Sequence, residues 1–377
     1  MRSLTPPDPA RSRAVLVGVG RYATLPPLPA ATARLAALRA VVTSPDGLGV
    51  AGCEVLTDPS SAAQVVHAVD EAATAAEDLL LVHYAGRVLC ADDGGEPYLA
   101  TAGTDARYVS STALPCAELR RVLRRGQAAT RVLLVDGLPG HLVGAGLDVD
   151  GAFVLIAPGH TPALVAALRD GLPGRGPVLT LADLAEVVAG SAGATVRDGG
   201  IATAPLLRNQ AERVLDLRSR LAKADAWLAM VAEDEATTAR SVADVRIRVA
   251  GSDGLVVPGF ADDLRRRLAA LGERTVAGQW TAVAEELAVI DQDANAAVEA
   301  LGALRAEAAR LLEQRAELRG RLDAYQAMAV RLGVAEDPDA VACHRRAHGL
   351  LWTAPSDLAA AASAVEAYQD AVRRRRG

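Results

Sequence analysis

The stretch Leu79–Val88, LLLVHYAGRV, decides the fold of the first half of this 377-residue chain. Uncharged and mostly apolar residues run without interruption into the small pair Ala-Gly, which is typical of a strand buried on both faces of a parallel sheet. A second stretch, 131–140 (RVLLVDGLPG), is built in the same way. Functional groups of such sheets collect on the loops after the carboxyl ends of the strands, so Arg87 and Leu138 are predicted to lie at the functional edge.

Further short runs rich in Val and Leu alternate with helix-length amphipathic segments up to about residue 208. The strand candidates are 13–20, 53–58, 78–86, 131–137 and 152–159, and the helix candidates are 30–42, 60–76, 116–125, 162–170 and 181–188. This alternation predicts an α/β domain over 13–208, with a mostly parallel sheet in a three-layer α/β/α sandwich. Residues 1–12 are predicted to be a disordered leader.

Long helical periods replace this alternation over 209–377, which is predicted to be all-α. The longest is a heptad pattern that holds from Leu301 to Leu332 with one charged interruption, Arg315. Such spacing predicts a helical bundle or a coiled-coil-like domain. Its two interpretations are a long intrachain hairpin, with 262–290 folded on 294–332, and a self-associating coiled coil in which the polar position sets the register.

Composition excludes several classes of function. The formal net charge of −6 argues against a general nucleic-acid binder. No run of about 18 apolar residues is present, so no membrane span is predicted. The four cysteines are scattered without the spacing of a metal site or a disulfide framework, which predicts a cytoplasmic protein without metal or cofactor.

The order and spacing of the motifs over 13–208 resemble the caspase-like, metacaspase-related peptidases of bacteria, which belong to clan CD. The Ala- and Arg-rich composition resembles that of actinobacterial proteins. In that family one strand ends Tyr-Ala-Gly-His-Gly and a later one ends in a motif such as Asp-Cys-Cys-Phe-Ser-Gly. The resemblance implies a caspase fold and a cysteine endopeptidase whose base is that His and whose nucleophile is the second Cys. Here those positions hold Arg87 and Leu138.

These replacements remove the chemistry that the family needs, which is a thiolate within reach of a base. Arg87 cannot accept a proton, and Leu138 has no reactive atom. The sequence therefore predicts a degenerate dyad and no catalytic residue. Asp136 is retained where the family keeps an acid for a basic P1 side chain, but the other acid of that pocket would fall near Arg34, which reverses the charge.

Three residues could rebuild a dyad at new positions: Cys90, His83 and His141. Because neighbours on a strand point to opposite faces, at most one of His83 and Tyr84 can face the cleft.

Three functions follow as hypotheses. The first is a catalytically inactive scaffold, regulator or adaptor in a bacterial signalling or conflict (defence) system, which binds a protein partner through its helical domain. That partner would be an active caspase-like relative or a second copy, with neither nucleic acid nor membrane involved. The second is an active cysteine endopeptidase that uses rearranged residues. The third is a small-molecule sensor that uses the vacated cleft.

Overall fold

The computed structural model describes residues 5–90, 96–137, 148–190 and 193–374. The strands are β1 (Arg13–Gly18), β2 (Gly52–Thr57), β3 (Leu79–Ala85), β4 (Val88–Cys90), β5 (Pro97–Leu99), β6 (Leu114–Pro115), β7 (Thr130–Asp136), β8 (Ala152–Ile156), β9 (Val178–Thr180), β10 (Thr195–Arg197) and β11 (Pro205–Arg208). Among them lie the helices α1 (Pro29–Thr43), α2 (Ala62–Ala75), α3 (Val109–Thr112), α4 (Cys116–Arg125), α5 (Thr161–Asp170) and α6 (Leu181–Ala189). The helices that follow are α7 (Ala211–Arg248), α8 (Phe260–Val276), α9 (Trp280–Arg331), α10 (Pro338–Trp352) and α11 (Leu358–Arg374).

The main sheet has the strand order β10-β8-β7-β3-β1-β2. The neighbours from β2 to β8 are parallel, and β10 joins β8 antiparallel at the edge. The prediction of a mostly parallel sheet with flanking helices, followed by a long all-helical region, is confirmed. From β1 the chain adds β2 on one side, and then β3, β7 and β8 on the other side, so the strand order changes direction between β1 and β3. Ligands of open α/β sheets bind in the crevice beyond the carboxyl ends of the strands at such a switch point.

Alternate side chains of β3 enter two separate cores, because successive strand residues point to opposite faces. Leu80, Val82 and Tyr84 pack on the face that α2 and α4 cover. Leu79 and Leu81 pack on the face that α1, α5 and α6 cover. Every residue of β3 is buried, as its uninterrupted apolar run predicted.

A small antiparallel sheet, β4-β5-β6, follows directly after β3. Its residues Val88, Leu99 and Leu114 are buried in the core on the α2 and α4 face. The loop after β3 is therefore anchored to one face of the main sheet.

The expectation of a disordered leader over 1–12 is wrong for residues 8–12. Pro9–Arg11 form a 3-10 turn that the Asp8 carboxylate caps. The backbone N–H of Asp8 donates to the Asp78 carboxylate at 3.0 Å, and the carbonyl of Arg11 accepts from the N–H of Glu77 at 2.9 Å. These bonds join segments 66 to 70 residues apart, so local composition gives no sign of them.

The chain divides into two compact units. The first comprises residues 1–218 and 273–283, and the second comprises 219–272 and 284–377. The segment 273–283 belongs to the first unit because Trp280 is fully buried there and its indole N–H donates to the carbonyl of Arg169 at 3.0 Å. Thr281 also bonds Asp46, which follows α1.

The predicted helical hairpin has its turn in the wrong place. Helix α9 runs unbroken for 52 residues across 291–293, and the chain turns at 277–279 instead. Gly278 has a φ of +71°, a conformation that glycine adopts without strain, whereas 291–293 contain neither glycine nor proline.

Several heptad positions of α9 are buried within the chain. Leu318, Leu322 and Ala329 are buried with residues of α10 and α11 in one core. Arg315, the charged interruption, donates from Nε to Ser356 Oγ at 3.0 Å and from Nη2 to the carbonyl of Leu351 at 2.8 Å. None of the described helices has an apolar stretch long enough to cross a bilayer.

Candidate functional site

A cleft of about 380 Å³ opens at the switch point of the main sheet. The ends of β3 and β7 form its floor, α1 and the loop before it form one wall, and the loop after β8 forms the other. The polar side chains that line it are those of Arg34, Arg87 and Asp136. The fold thus places in one cleft three charged residues that the sequence analysis singled out, Arg34, Arg87 and Asp136.

Glycines stand at both strand ends because neighbouring groups leave no room there for a larger side chain. A Cβ on Gly86 would lie 2.5 Å from Tyr84 Oη, and one on Gly137 would lie 2.7 Å from a methyl of Val88. The N–H of Gly86 donates to the carbonyl of Asp136 at 3.1 Å. These contacts explain why both sequence motifs end in a small residue.

Arg87 links the loop after β3 to the loop after β1. Its Nε donates to the carbonyl of Pro26 at 2.8 Å, and its backbone N–H donates to Tyr22 Oη at 2.9 Å. The guanidinium carbon lies 6.0 Å from the centre of the Tyr22 ring. At the position where the base was expected, Arg87 is therefore a cation that joins two loops and can only donate hydrogen bonds.

Asp136 is buried and is surrounded by donors. Its carboxylate accepts from the N–H of Gly159, from the hydroxyl and N–H of Thr161, and from Arg34 at 3.3 Å. Burial alone raises the pKa of Asp136, but the Thr161 hydroxyl, the nearby His160 and the two N–H donors outweigh it, so the pKa lies below its usual value. The carboxylate is ionised and ties the end of β7 to the first turn of α5.

His83 belongs to the same buried network. Its Nε2 lies 3.0 Å from Thr161 Oγ1. Thr161 has one hydroxyl proton, which it donates to the ionised Asp136, so His83 Nε2 must carry the proton that joins it to Thr161. Burial and the neighbouring His160 lower the pKa of His83 to about 3, and the ring is neutral. His83 Nε2 therefore donates to Thr161 and does not act as a base toward it.

Sequence reasoning missed two members of this network, Thr161 and His160. His160 is buried, with Nδ1 2.6 Å from the carbonyl of Ala157, and its ring lies 6.1 Å from that of His83. The Thr-Pro pair at the start of α5 is a usual helix-start signal, but nothing in the local sequence connects it to Asp136.

Cys90 and His83 lie on opposite sides of the main sheet. Cys90 is exposed at the end of β4, whose Val88 packs in the core with Tyr84, and His83 points to the other face. Leu138 and His141 lie outside the described residues. Over the described ranges, no cysteine is hydrogen-bonded to a histidine, and no three His, Cys, Asp or Glu side chains are arranged to hold a metal ion.

Comparison with known proteins gives matches to solved structures only. No protein-family profile matches this chain, and no curated protein matches it. The crystal structure of caspase-1 from Spodoptera frugiperda is similar at 11% identity and a TM-score of 0.40, over 55% of this chain and 94% of that chain. A structure of pro-Sf-caspase-1 is similar at 11% identity and a TM-score of 0.38, over 52% and 94%.

Proposed function

We propose that residues 13–208 form a catalytically inactive caspase-like domain, and that the chain acts as a scaffold, regulator or adaptor in a bacterial signalling or conflict (defence) system. The observation that carries this proposal is the position of Arg87. A cysteine peptidase of this kind needs a proton acceptor on the loop after β3, within reach of a thiol. The Arg87 guanidinium fills that position and is bonded to Pro26.

The retained acid supports the same proposal. Asp136 would have to accept a bond from a basic substrate side chain, but Gly159, Thr161 and Arg34 already occupy its oxygens. Releasing it would leave buried donors unpaired, which costs about 1–3 kcal/mol for each group. The cleft therefore uses its charges for internal bonds.

A protein partner would bind away from the heptad stripe. Leu318, Leu322 and Ala329 of that stripe are already covered inside the chain. Large apolar side chains are nevertheless exposed elsewhere on the helices, such as Met230 (70% exposed) and Ile247 (68% exposed) on α7. Other faces of the helical region are the better candidates for an interaction with an active caspase-like relative or a second copy.

The test is a peptidase assay on the full chain with a fluorogenic peptide library that varies the P1 residue, with an active caspase-like enzyme as the positive control. We expect no turnover above that of the Cys90→Ala variant. Cleavage by the wild type that Cys90→Ala abolishes would support the active-peptidase alternative and contradict the proposal. Light scattering of the full chain at high concentration tests self-association separately.

A small-molecule sensor remains a second candidate because the described part of the cleft is open. The Arg87 side chain bonds Pro26 and leaves a volume of about 380 Å³ beside Ala30 and Gly86. Thermal-shift screening against metabolites tests this function, with Ala30→Trp as the variant that fills the cleft. A ligand of this site would lose its stabilising effect in Ala30→Trp.

A further inference from the structure

A second cleft, of about 490 Å³, lies within the helical unit and is lined by three arginines. Arg248 comes from the end of α7, and Arg315 and Arg319 come from successive turns of α9. Trp352, the last residue of α10, and Asp323 complete the polar and aromatic lining. The site is independent of the caspase-like cleft and of the function proposed for it.

The positive charges in this cleft are poorly neutralised. In the described part of the chain, no carboxylate lies within 4.0 Å of Arg315 or Arg319, and Arg248 has one partner, Asp244, at 2.9 Å. Elsewhere on α9 the pattern differs: Arg305 pairs with Asp234, Arg310 with Glu307 and Arg321 with Glu317. Among the described residues, Arg315 and Arg319 thus lack the carboxylate partners that other arginines of α9 have.

Neutral groups hold the guanidinium groups in place. Arg315 uses Nε and Nη2 for Ser356 Oγ and the carbonyl of Leu351, which leaves Nη1 without a hydrogen bond among the described residues. Arg319 lies over the Trp352 ring at 4.1 Å, and that ring stacks on His348 at 4.3 Å. These contacts orient the cations without cancelling their charge.

Two further observations show that the charge of the cluster is not balanced. Arg319 Nε is buried and has no hydrogen-bond partner, which is unusual for a buried donor. Burial, together with the positive charges of Arg319 and Arg248, lowers the pKa of Arg315. The three cations repel one another, and an anion between them would relieve that repulsion.

We propose that this cleft binds a phosphate group through Arg248, Arg315 and Arg319. A phosphate monoester carries close to two negative charges and three strong acceptor oxygens, which suit forked guanidinium donors that converge from two helices. A carboxylate offers one charge and two oxygens, and so would match fewer of these donors. The phosphate would belong to a free small molecule or to a phosphorylated side chain of a partner.

The experiment titrates inorganic phosphate into the full chain, with ionic strength held constant by sodium chloride, and follows binding by calorimetry and by the shift in Tm. We expect saturable binding that Arg319→Gln weakens roughly ten- to hundredfold, because one charge-assisted bond is lost. Arg310→Gln is the matched control: it lies on the same helix, outside the cleft and paired with Glu307. This control should bind as the wild type does.

Asp323→Asn separates binding from folding. Asp323 lines the cleft and weakens its positive potential, so its neutralisation should tighten phosphate binding, whereas a folding defect would weaken it. Phosphate that acts no differently from chloride at equal ionic strength, or that binds Arg319→Gln as well as the wild type, overturns the proposal.

Two more titrations, with a phosphoserine peptide and with ADP, identify the source of the phosphate. Tighter binding of the peptide than of inorganic phosphate points to a phosphorylated partner, and tighter binding of ADP points to a small molecule. A result in which neither does so identifies the free anion as the ligand. Each of these outcomes supports the proposal only if Arg319→Gln weakens the binding.

Discussion

Replacing the Thr161 hydroxyl is the sharpest test of the buried network at the end of β7. Thr161→Val keeps the shape of the side chain but removes the bond to ionised Asp136 and leaves the Nε2 proton of His83 without an acceptor. A hydrogen bond to a charged group contributes about 1.5–3 kcal/mol, and an unpaired buried donor costs about 1–3 kcal/mol. We expect the free energy of unfolding to fall by about 3–5 kcal/mol near pH 7.

The pH dependence gives a second measurement of the same bond. The pKa of Asp136 lies below its usual value of 3.8, so this carboxylate contributes stability above that value, and the contribution is lost as the pH falls through the folded pKa. In Thr161→Val the pKa of Asp136 should rise because the hydroxyl that lowers it is gone, and the variant should lose less stability than the wild type on acidification. The stability difference between them should therefore shrink between about pH 7 and about pH 3.

Chemical denaturation followed by circular dichroism measures both effects. Thr161→Ser restores the hydroxyl and should recover most of the stability. Thr43→Val is the matched control, since it removes an exposed hydroxyl that bonds only a helix carbonyl, and it should change stability by less than about 0.5 kcal/mol. A Thr161→Val variant as stable as the wild type, or one whose destabilisation is the same at both pH values, would refute the network as described.

Three other perturbations test separate parts of the structure. Arg87→Gln removes the bond to Pro26, so amide hydrogen exchange in the loop after β1 should become faster while exchange in β1 itself stays the same. Unchanged exchange in the loop would show that this bond does not order it. Trp280→Ala empties a fully buried site in the first unit and should lower the free energy of unfolding by about 3–5 kcal/mol in urea titration, and a loss below about 1 kcal/mol would contradict its burial. Burial raises the pKa of the Cys116 thiol to about 12, whereas Cys90 is exposed. Mass spectrometry after iodoacetamide treatment should therefore find Cys90 alkylated and Cys116 unmodified. Alkylation of Cys116 before Cys90 would contradict the burial of Cys116.

Much of the α/β fold follows from local sequence. Leu79–Ala85 and Thr130–Asp136 are strands with the bounds that their apolar runs predicted to within one residue. Burial on both faces requires apolar side chains in both directions, and that requirement is visible in the sequence itself. The short strands β4, β5 and β6 carry too few residues to show a period, and their pairing depends on the sheet that they pack against.

The positions of two candidate site residues could also be predicted, but their hydrogen bonds could not. The rule that function collects after the carboxyl ends of strands placed Arg87 and Asp136 at one edge, and both line the cleft there. The partners of Asp136 are Gly159, Thr161 and Arg34, which lie 23 to 102 residues away along the chain. Hydrogen bonds at such separations depend on how β7, α5 and α1 pack, which no local pattern encodes.

Sequence by itself determined the buried strands, the change from α/β to all-α and the residues at the ends of β3 and β7. Each of these features depends on the pattern of apolar and polar residues that are neighbours in the chain. Only the tertiary structure decided that α9 continues past 291–293, that Asp136 is bonded to Thr161, and that Arg248 lies beside Arg315. These outcomes depend on which side chains become buried and on which distant groups come within hydrogen-bond distance of each other. Both are decided only when the elements pack together.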